Sequence, residues 1–192
     1  MADIQIRVGQ FGPAKVVLHV GCGPNRLINE YPAPEWKEIR LDVDARFEPD
    51  IIGSMTDLSM IETGSVDVIY SQQNLEHLYL YEVPITLKEF RRVLKDSPES
   101  KACVEVPDIQ RVAELVAQDK LDEPCFMSPV GPIRPVDILY GHAGFIEMGI
   151  TSMQHRTGFT QRTLGNALLT AGFVRVDLAR SAWDLFATAY VQ

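Results

Sequence analysis

The chain has 192 residues, of which 46% are apolar and 23% charged, the balance of one folded domain and not of a disordered or collagen-like chain. A net charge of −8 leaves no basic face to neutralise a phosphate backbone, so no nucleic-acid partner is expected. Apolar runs fall short of the ~18–20 residues that span a bilayer, and the opening MADIQIRVGQ lacks the apolar core of a signal peptide.

Three widely spaced cysteines, Cys22, Cys103 and Cys125, point to a reducing compartment and to neither a disulfide framework nor a zinc site. The expectation is a cytoplasmic domain covering residues 1–192, without membrane attachment.

Taken in order, residues 16–20 (VVLHV) form a continuous, β-branched-rich run that stops at Gly21-Cys22-Gly23-Pro24, the pattern of a strand buried on both faces. Further strands are expected at 38–43, at 50–53, at 66–71 (VDVIYS) and at 102–106 (ACVEV), the last closed by Pro107. Residues 83–95 carry apolar side chains at helical spacing. Residues 108–120 repeat the pattern with Asp108 as N-cap, and residues 160–171 do so with Thr160 as cap and Gly172 as stop. Strands at 174–178 and 185–191 follow with no helix between them, so they pair as an antiparallel hairpin.

This order gives an α/β, Rossmann-like, mostly parallel sheet with an antiparallel C-terminal hairpin. Helices are reduced early in the chain, where residues 25–30 offer only one or two turns. Residues 121–157, rich in proline and glycine yet apolar and without periodicity, read as a cap insertion over the C-terminal edge of the sheet.

A buried strand ending in Gly-x-Gly lets backbone approach a ligand closely, and in open α/β sheets ligands lie beyond the C-terminal strand ends. Roughly twenty residues on, LDVD places Asp42 where a carboxylate accepts the hydroxyls of a ribose, with Asp44 as the fallback. Gly21 and Asp42 are thus expected to hold opposite ends of one nucleoside. Arg26 occupies the third glycine position of a dinucleotide fingerprint and Pro24 interrupts the row of N–H groups, which disfavours NAD; a P-loop is absent.

VLHVGCGPN, LDVD and SVDVIYSQQNLEHL, in this order and with these gaps, resemble the class I S-adenosylmethionine-dependent methyltransferases. Within them the chain is most similar to small bacterial enzymes with Leu-Glu-His-Leu after the fourth strand. HRTGFT at 155–160 and AGF at 171–173 resemble the family's C-terminal pattern more loosely. The resemblance implies S-adenosylmethionine as cofactor, held by Gly21, Cys22, Gly23 and Asn25 at the glycine turn and by Asp42 at the ribose. It also implies Ser54, Met55 or Thr56 beside the adenine, and Gln72 and Asn74 beneath the cofactor. Three positions depart from the family pattern: His19 and Ser54 stand where acids are usual, and Asn25 where a glycine is. His19, in an apolar strand, reads as a hydrogen-bonded core histidine.

Transfer from a sulfonium asks the protein chiefly to align the nucleophile and exclude water, with a base for a hydroxyl acceptor. His77, His142 and His155 are the candidates for that base. His77 also reads as a brace for its loop, and His155-Arg156 as a donor pair for an anionic substrate group. His142, flanked by Gly141 and Gly144, has a backbone free to approach a ligand. Glu76 reads as a hydrogen-bond acceptor near the cofactor; Tyr79 and Tyr81 either line the substrate mouth or pack. No metal site is expected, since His142 and His155 lack ligand spacing. The sequence thus points to methylation of a small-molecule or sugar-like acceptor, at oxygen more than nitrogen, with a homodimer as one use of the apolar cap. The rival reading is a non-catalytic S-adenosylmethionine-binding module or sensor.

Overall fold

The computed structural model describes residues 14–192, so the opening segment read above for a leader lies outside the described residues. The main elements are β1 (Lys15–Val20), β2 (Trp36–Asp42), β3 (Ile51–Ile52), β4 (Val68–Gln72), α1 (Val83–Val93), β5 (Lys101–Pro107) and α2 (Ile109–Val116). Then come a small hairpin, β6 (Phe126–Ser128) and β7 (Gly131–Ile133), and two short helices, α3 (Pro135–Tyr140) and α4 (Ala143–Glu147). The chain closes with α5 (Gln161–Thr170), β8 (Arg175–Arg180) and β9 (Asp184–Tyr190).

Seven strands form one sheet in the order β3-β2-β1-β4-β5-β9-β8. The first five are parallel, and β9 runs against both β5 and β8. This is the Rossmann-like, mostly parallel sheet with a C-terminal antiparallel hairpin that the strand and helix spacing implied. Strand order reverses between β1 and β4, which puts a ligand crevice beyond their C-terminal ends.

The core explains the register. Leu18 on β1 sits between Ile39 of β2 and Ile69 of β4, and on that face Leu87 and Phe90 of α1 and Leu164 and Leu168 of α5 complete one buried cluster. Burial of each such side chain is worth about 1.5–3 kcal/mol. Asp108 caps α2 by accepting the Gln110 N–H, and Thr160 caps α5 through the Thr163 N–H. The opposite face is thinner: Val17, Leu27 and Val68 are backed by Tyr31, Trp36, Tyr70 and Cys103, not by a helix. Between β1 and β2 the chain makes one turn, in which the Tyr31 N–H reaches the Leu27 carbonyl (2.8 Å).

Residues 121–157 depart from the featureless loop suggested by composition, since β6, β7, α3 and α4 all lie there. Each is too short for a period to register in sequence. The segment is anchored at its exit, where the Arg156 and Thr157 N–H groups both donate to the Glu76 carbonyl (2.8 and 3.1 Å). Among the described residues no helix is long and apolar enough to cross a membrane, and Cys22, Cys103 and Cys125 are all free thiols.

Candidate functional site

A cavity of about 480 Å³ opens at the strand-order reversal, within the size range of small-ligand sites. Its floor is the turn after β1 and its walls are the loops after β2, β3 and β4. The C-terminal half of the cap roofs it through Phe145, Ile150, Ser152 and Met153.

Gly21 and Gly23 both line the cavity with positive φ (60° and 48°). At Gly21 a Cβ would stand 1.9 Å from the Asn74 Oδ1, so glycine is required twice over, by conformation and by space. Asn74 lines the cavity too and staples β1 to β4, its Nδ2 donating to the carbonyls of Val20 (2.9 Å) and Gln72 (2.8 Å).

Asp42 ends β2 at the cavity wall, 8% exposed. One carboxylate oxygen accepts the Gly23 N–H and the other the Asp44 N–H, both at 2.8 Å. Glycine turn and carboxylate are therefore one hydrogen-bonded unit. Asp44 also reaches the cavity, but its carboxylate caps the following turn and is paired with Arg46, which holds it below the usual carboxylate range. Arg40, 2% exposed, clamps the unit from beneath by donating to the carbonyls of Gly23, Phe47 and Glu48. Sequence reading missed this buried arginine because the alternation of Ile39, Leu41 and Val43 puts it on the other face of the strand, where a charge reads as solvent-facing.

Four expected cofactor contacts fall elsewhere. Cys22 is buried beneath the turn, its thiol pushed up by desolvation, and Asn25 is exposed outside the cavity. Ser54 turns inward to bond Thr56 (2.8 Å), leaving Met55 as the loop's contribution to the cavity. Gln72 is exposed and donates to Glu105 (2.8 Å), while Gln73 lines the cavity. The positive φ of Gln73 (53°) breaks strand alternation there, so the neighbour of the expected residue turns in. Val43 and Phe47 complete the apolar wall beside Met55.

Of the three histidines, His77 alone lines the cavity. Its Nδ1–H donates to the Gln154 carbonyl (3.1 Å), the Gln73 backbone also bonds the ring, and burial lowers its pKa, which favours the neutral imidazole. The brace suggested for His77 is thus present, made to the cap's exit strand. His155 lies behind it, ring centroids 5.0 Å apart, with its Nδ1–H donating to the Ile138 carbonyl (2.7 Å) and its pKa lowered to about 4 by burial and by His77.

His142 starts α4 and packs on Phe145 (5.1 Å), outside the cavity lining. Its flanking glycines serve chain packing: Gly141 has φ 95° and gives room to the Met153 carbonyl, and Gly144 lies under the His142 ring. Tyr79 and Tyr81 stack on each other at the surface (5.7 Å) and are not cavity residues. His19 is the hydrogen-bonded core histidine expected, with Nδ1 2.8 Å from the Glu38 carboxylate.

Glu76 carries a surprise. It is 1% exposed, neither carboxylate oxygen has a hydrogen-bond partner, and desolvation pushes its pKa up to about 8. One donor atom each from Glu76, His77 and His155 lies within 4.8 Å of the others. The spacing argument against metal binding considered only groups close in sequence, and the fold joins these from distant segments.

Comparison with known proteins agrees with this layout. The profile of the family described as "Methyltransferase domain" matches residues 18–97. No curated protein matches the chain. Among solved structures, a SAM-dependent methyltransferase from Archaeoglobus fulgidus is similar at a TM-score of 0.62 and 14% identity, over 95% of this chain and 89% of that one. The Burkholderia thailandensis 1,6-didemethyltoxoflavin-N1-methyltransferase, with 1,6-didemethyltoxoflavin and S-adenosylhomocysteine bound, is similar at 0.57 and 16%, over 98% and 76%. Haemonchus contortus phosphoethanolamine N-methyltransferase 2, in complex with S-adenosyl-L-methionine, is similar at 0.57 and 10%, over 96% and 51%. At these identities the likeness is one of fold.

Proposed function

We propose that the chain, whose residues 18–97 match the family described as "Methyltransferase domain", is a class I S-adenosylmethionine-dependent methyltransferase that methylates an oxygen of a small-molecule or sugar-like acceptor. The observation that carries this reading is the cavity itself, where the Gly21 turn, Asp42 and Met55 form a cradle of nucleoside size beneath a cap. S-adenosylmethionine, when bound, supplies an electrophilic methyl group on a sulfonium. Asp42 holds the ribose hydroxyls with the lone pairs left over from its two backbone bonds. Met55, Val43 and Phe47 offer the apolar walls for the adenine, and the Gly21 turn brings backbone close to the methionine part.

His77 is the cavity residue that meets the acceptor. Its Nδ1–H is committed to Gln154, so the Nε2 lone pair is the available proton acceptor, and the lowered pKa keeps it unprotonated at neutral pH. Phe145, Ile150 and Met153 cover the site and keep water from it. The cavity of about 480 Å³ and the 1,6-didemethyltoxoflavin bound by the Burkholderia neighbour both favour a small acceptor; the histidine favours a hydroxyl over an amine.

The test is transfer of radiolabelled methyl from S-adenosylmethionine to a panel of small hydroxyl, amine and carboxyl compounds. Labelled hydroxyl products are expected, and His77→Ala should lower turnover about 100-fold or more at unchanged cofactor affinity. Label on amines alone would overturn the oxygen assignment. Tight cofactor binding with no transfer to any acceptor would favour the non-catalytic module.

A further inference from the structure

We propose that Glu76, His77 and His155 bind one divalent transition-metal ion beside the cavity. Each side chain is prepared for that role by its own surroundings. Both imidazoles spend Nδ1–H on a backbone carbonyl, Gln154 for His77 and Ile138 for His155, which fixes the tautomer and leaves Nε2 as a lone pair. Metal-ligating histidines are oriented by this kind of second hydrogen bond. Glu76 contributes a fully buried carboxylate to which no described residue donates.

Neither Glu76 oxygen has a hydrogen-bond partner in another described residue. Buried polar groups are otherwise almost always paired, and a buried charge needs a counter-charge. Arg156 does not supply it: its guanidinium lies over the Tyr79 ring (4.9 Å) and donates to the His77 carbonyl.

Two imidazoles and one carboxylate suit a first-row ion such as zinc or cobalt over magnesium or calcium, which prefer all-oxygen shells. Three protein ligands leave a coordination position open. The donors stand within 4.8 Å of one another, and a tetrahedral shell of ~2.0–2.1 Å bonds would draw them in by at most about 1.5 Å. His77 also lines the cavity, so the ion would share one residue with the site. Use of the ion to hold an acceptor hydroxyl rests on the methyltransferase reading; the ion site itself does not. The His77 lone pair is a base in the metal-free protein and a ligand in the loaded one.

The probe is cobalt(II) alone, titrated into chelator-treated full-length protein and followed by ligand-field absorption and equilibrium dialysis. One cobalt per chain is expected, displaced by zinc and not by magnesium. His155→Ala and Glu76→Gln should each weaken binding about 10-fold or more, and His142→Ala should leave it intact. Thermal melts identify any variant that fails to fold, and the wild-type stoichiometry stands independently of the variants. Less than a tenth of an equivalent, roughly, bound to wild type, or equal affinity in folded Glu76→Gln, overturns the proposal. S-adenosylhomocysteine titrated into the same metal-free sample separates the two readings, since nucleoside binding without cobalt binding sinks only this one.

Discussion

A single carboxylate sets the chemistry of the cradle. Asp42 accepts backbone N–H bonds from Gly23 and Asp44, so its removal releases the glycine turn and would take away the proposed ribose contact. Asp42→Ala should weaken S-adenosylhomocysteine binding by roughly 1.5–3 kcal/mol, the scale of hydrogen bonds to a charged group. Calorimetry showing unchanged affinity would move the ribose contact elsewhere. Glu76 supplies a second residue-level prediction, through pH. Its carboxyl is raised from 4.5 to about 8 by burial, so between those values the folded chain binds more protons than the unfolded one, and stability falls as pH rises. His155 has the opposite effect: lowered from 6.5 to about 4, it makes stability fall as pH drops through that window. In chelator, Glu76→Gln should therefore raise Tm more at pH 8 than at pH 5. The same shift at both values would show that the carboxyl is not the buried acid described.

Glycine geometry at the β1 turn gives the sharpest element-scale comparison. Gly21 and Gly23 share a left-handed backbone, yet a Cβ at Gly21 meets Asn74 while one at Gly23 meets nothing within 4 Å. Gly21→Ala should cost more stability than Gly23→Ala, by about 1–3 kcal/mol in urea unfolding; equal costs would mean that Asn74 does not staple the strand ends. The cap makes a parallel case. Gly141→Ala drives a Cβ to 2.1 Å from the Met153 carbonyl, so it should loosen the roof, with faster proteolysis between 121 and 157 than in wild type. These elements differ in how far they could be read in advance. Strands β1, β4 and β5 and helices α1 and α5 announce themselves through long apolar patterns and caps such as Thr160. The cap does not, because its short elements are held by contacts distant in sequence, such as the Val136 N–H donating to the Leu121 carbonyl and the His155 ring to the Ile138 carbonyl.

For the molecule as a whole, the mostly parallel sheet and its antiparallel closing hairpin were legible from the alternation of patterns, and with them a ligand site beyond the C-terminal strand ends; the order of the strands was not. Gly21, Gly23, Asp42, Met55, Asn74 and His77 were legible because a motif fixes each to a strand end. Gln73, Arg46, Phe47 and Phe145 were not, since a positive φ, a capped turn and a distant cap bring them in. The same limit hid the meeting of Glu76 and His77 with His155, which only the folded chain arranges. All of it turns on whether the cradle holds an adenosyl group. Calorimetric titration of the full-length protein with S-adenosylhomocysteine, and in parallel with NAD, measures this directly. One saturable site for the former, weakened in Asp42→Ala and absent for NAD, is the expected result; binding of NAD alone, or of neither compound, contradicts it.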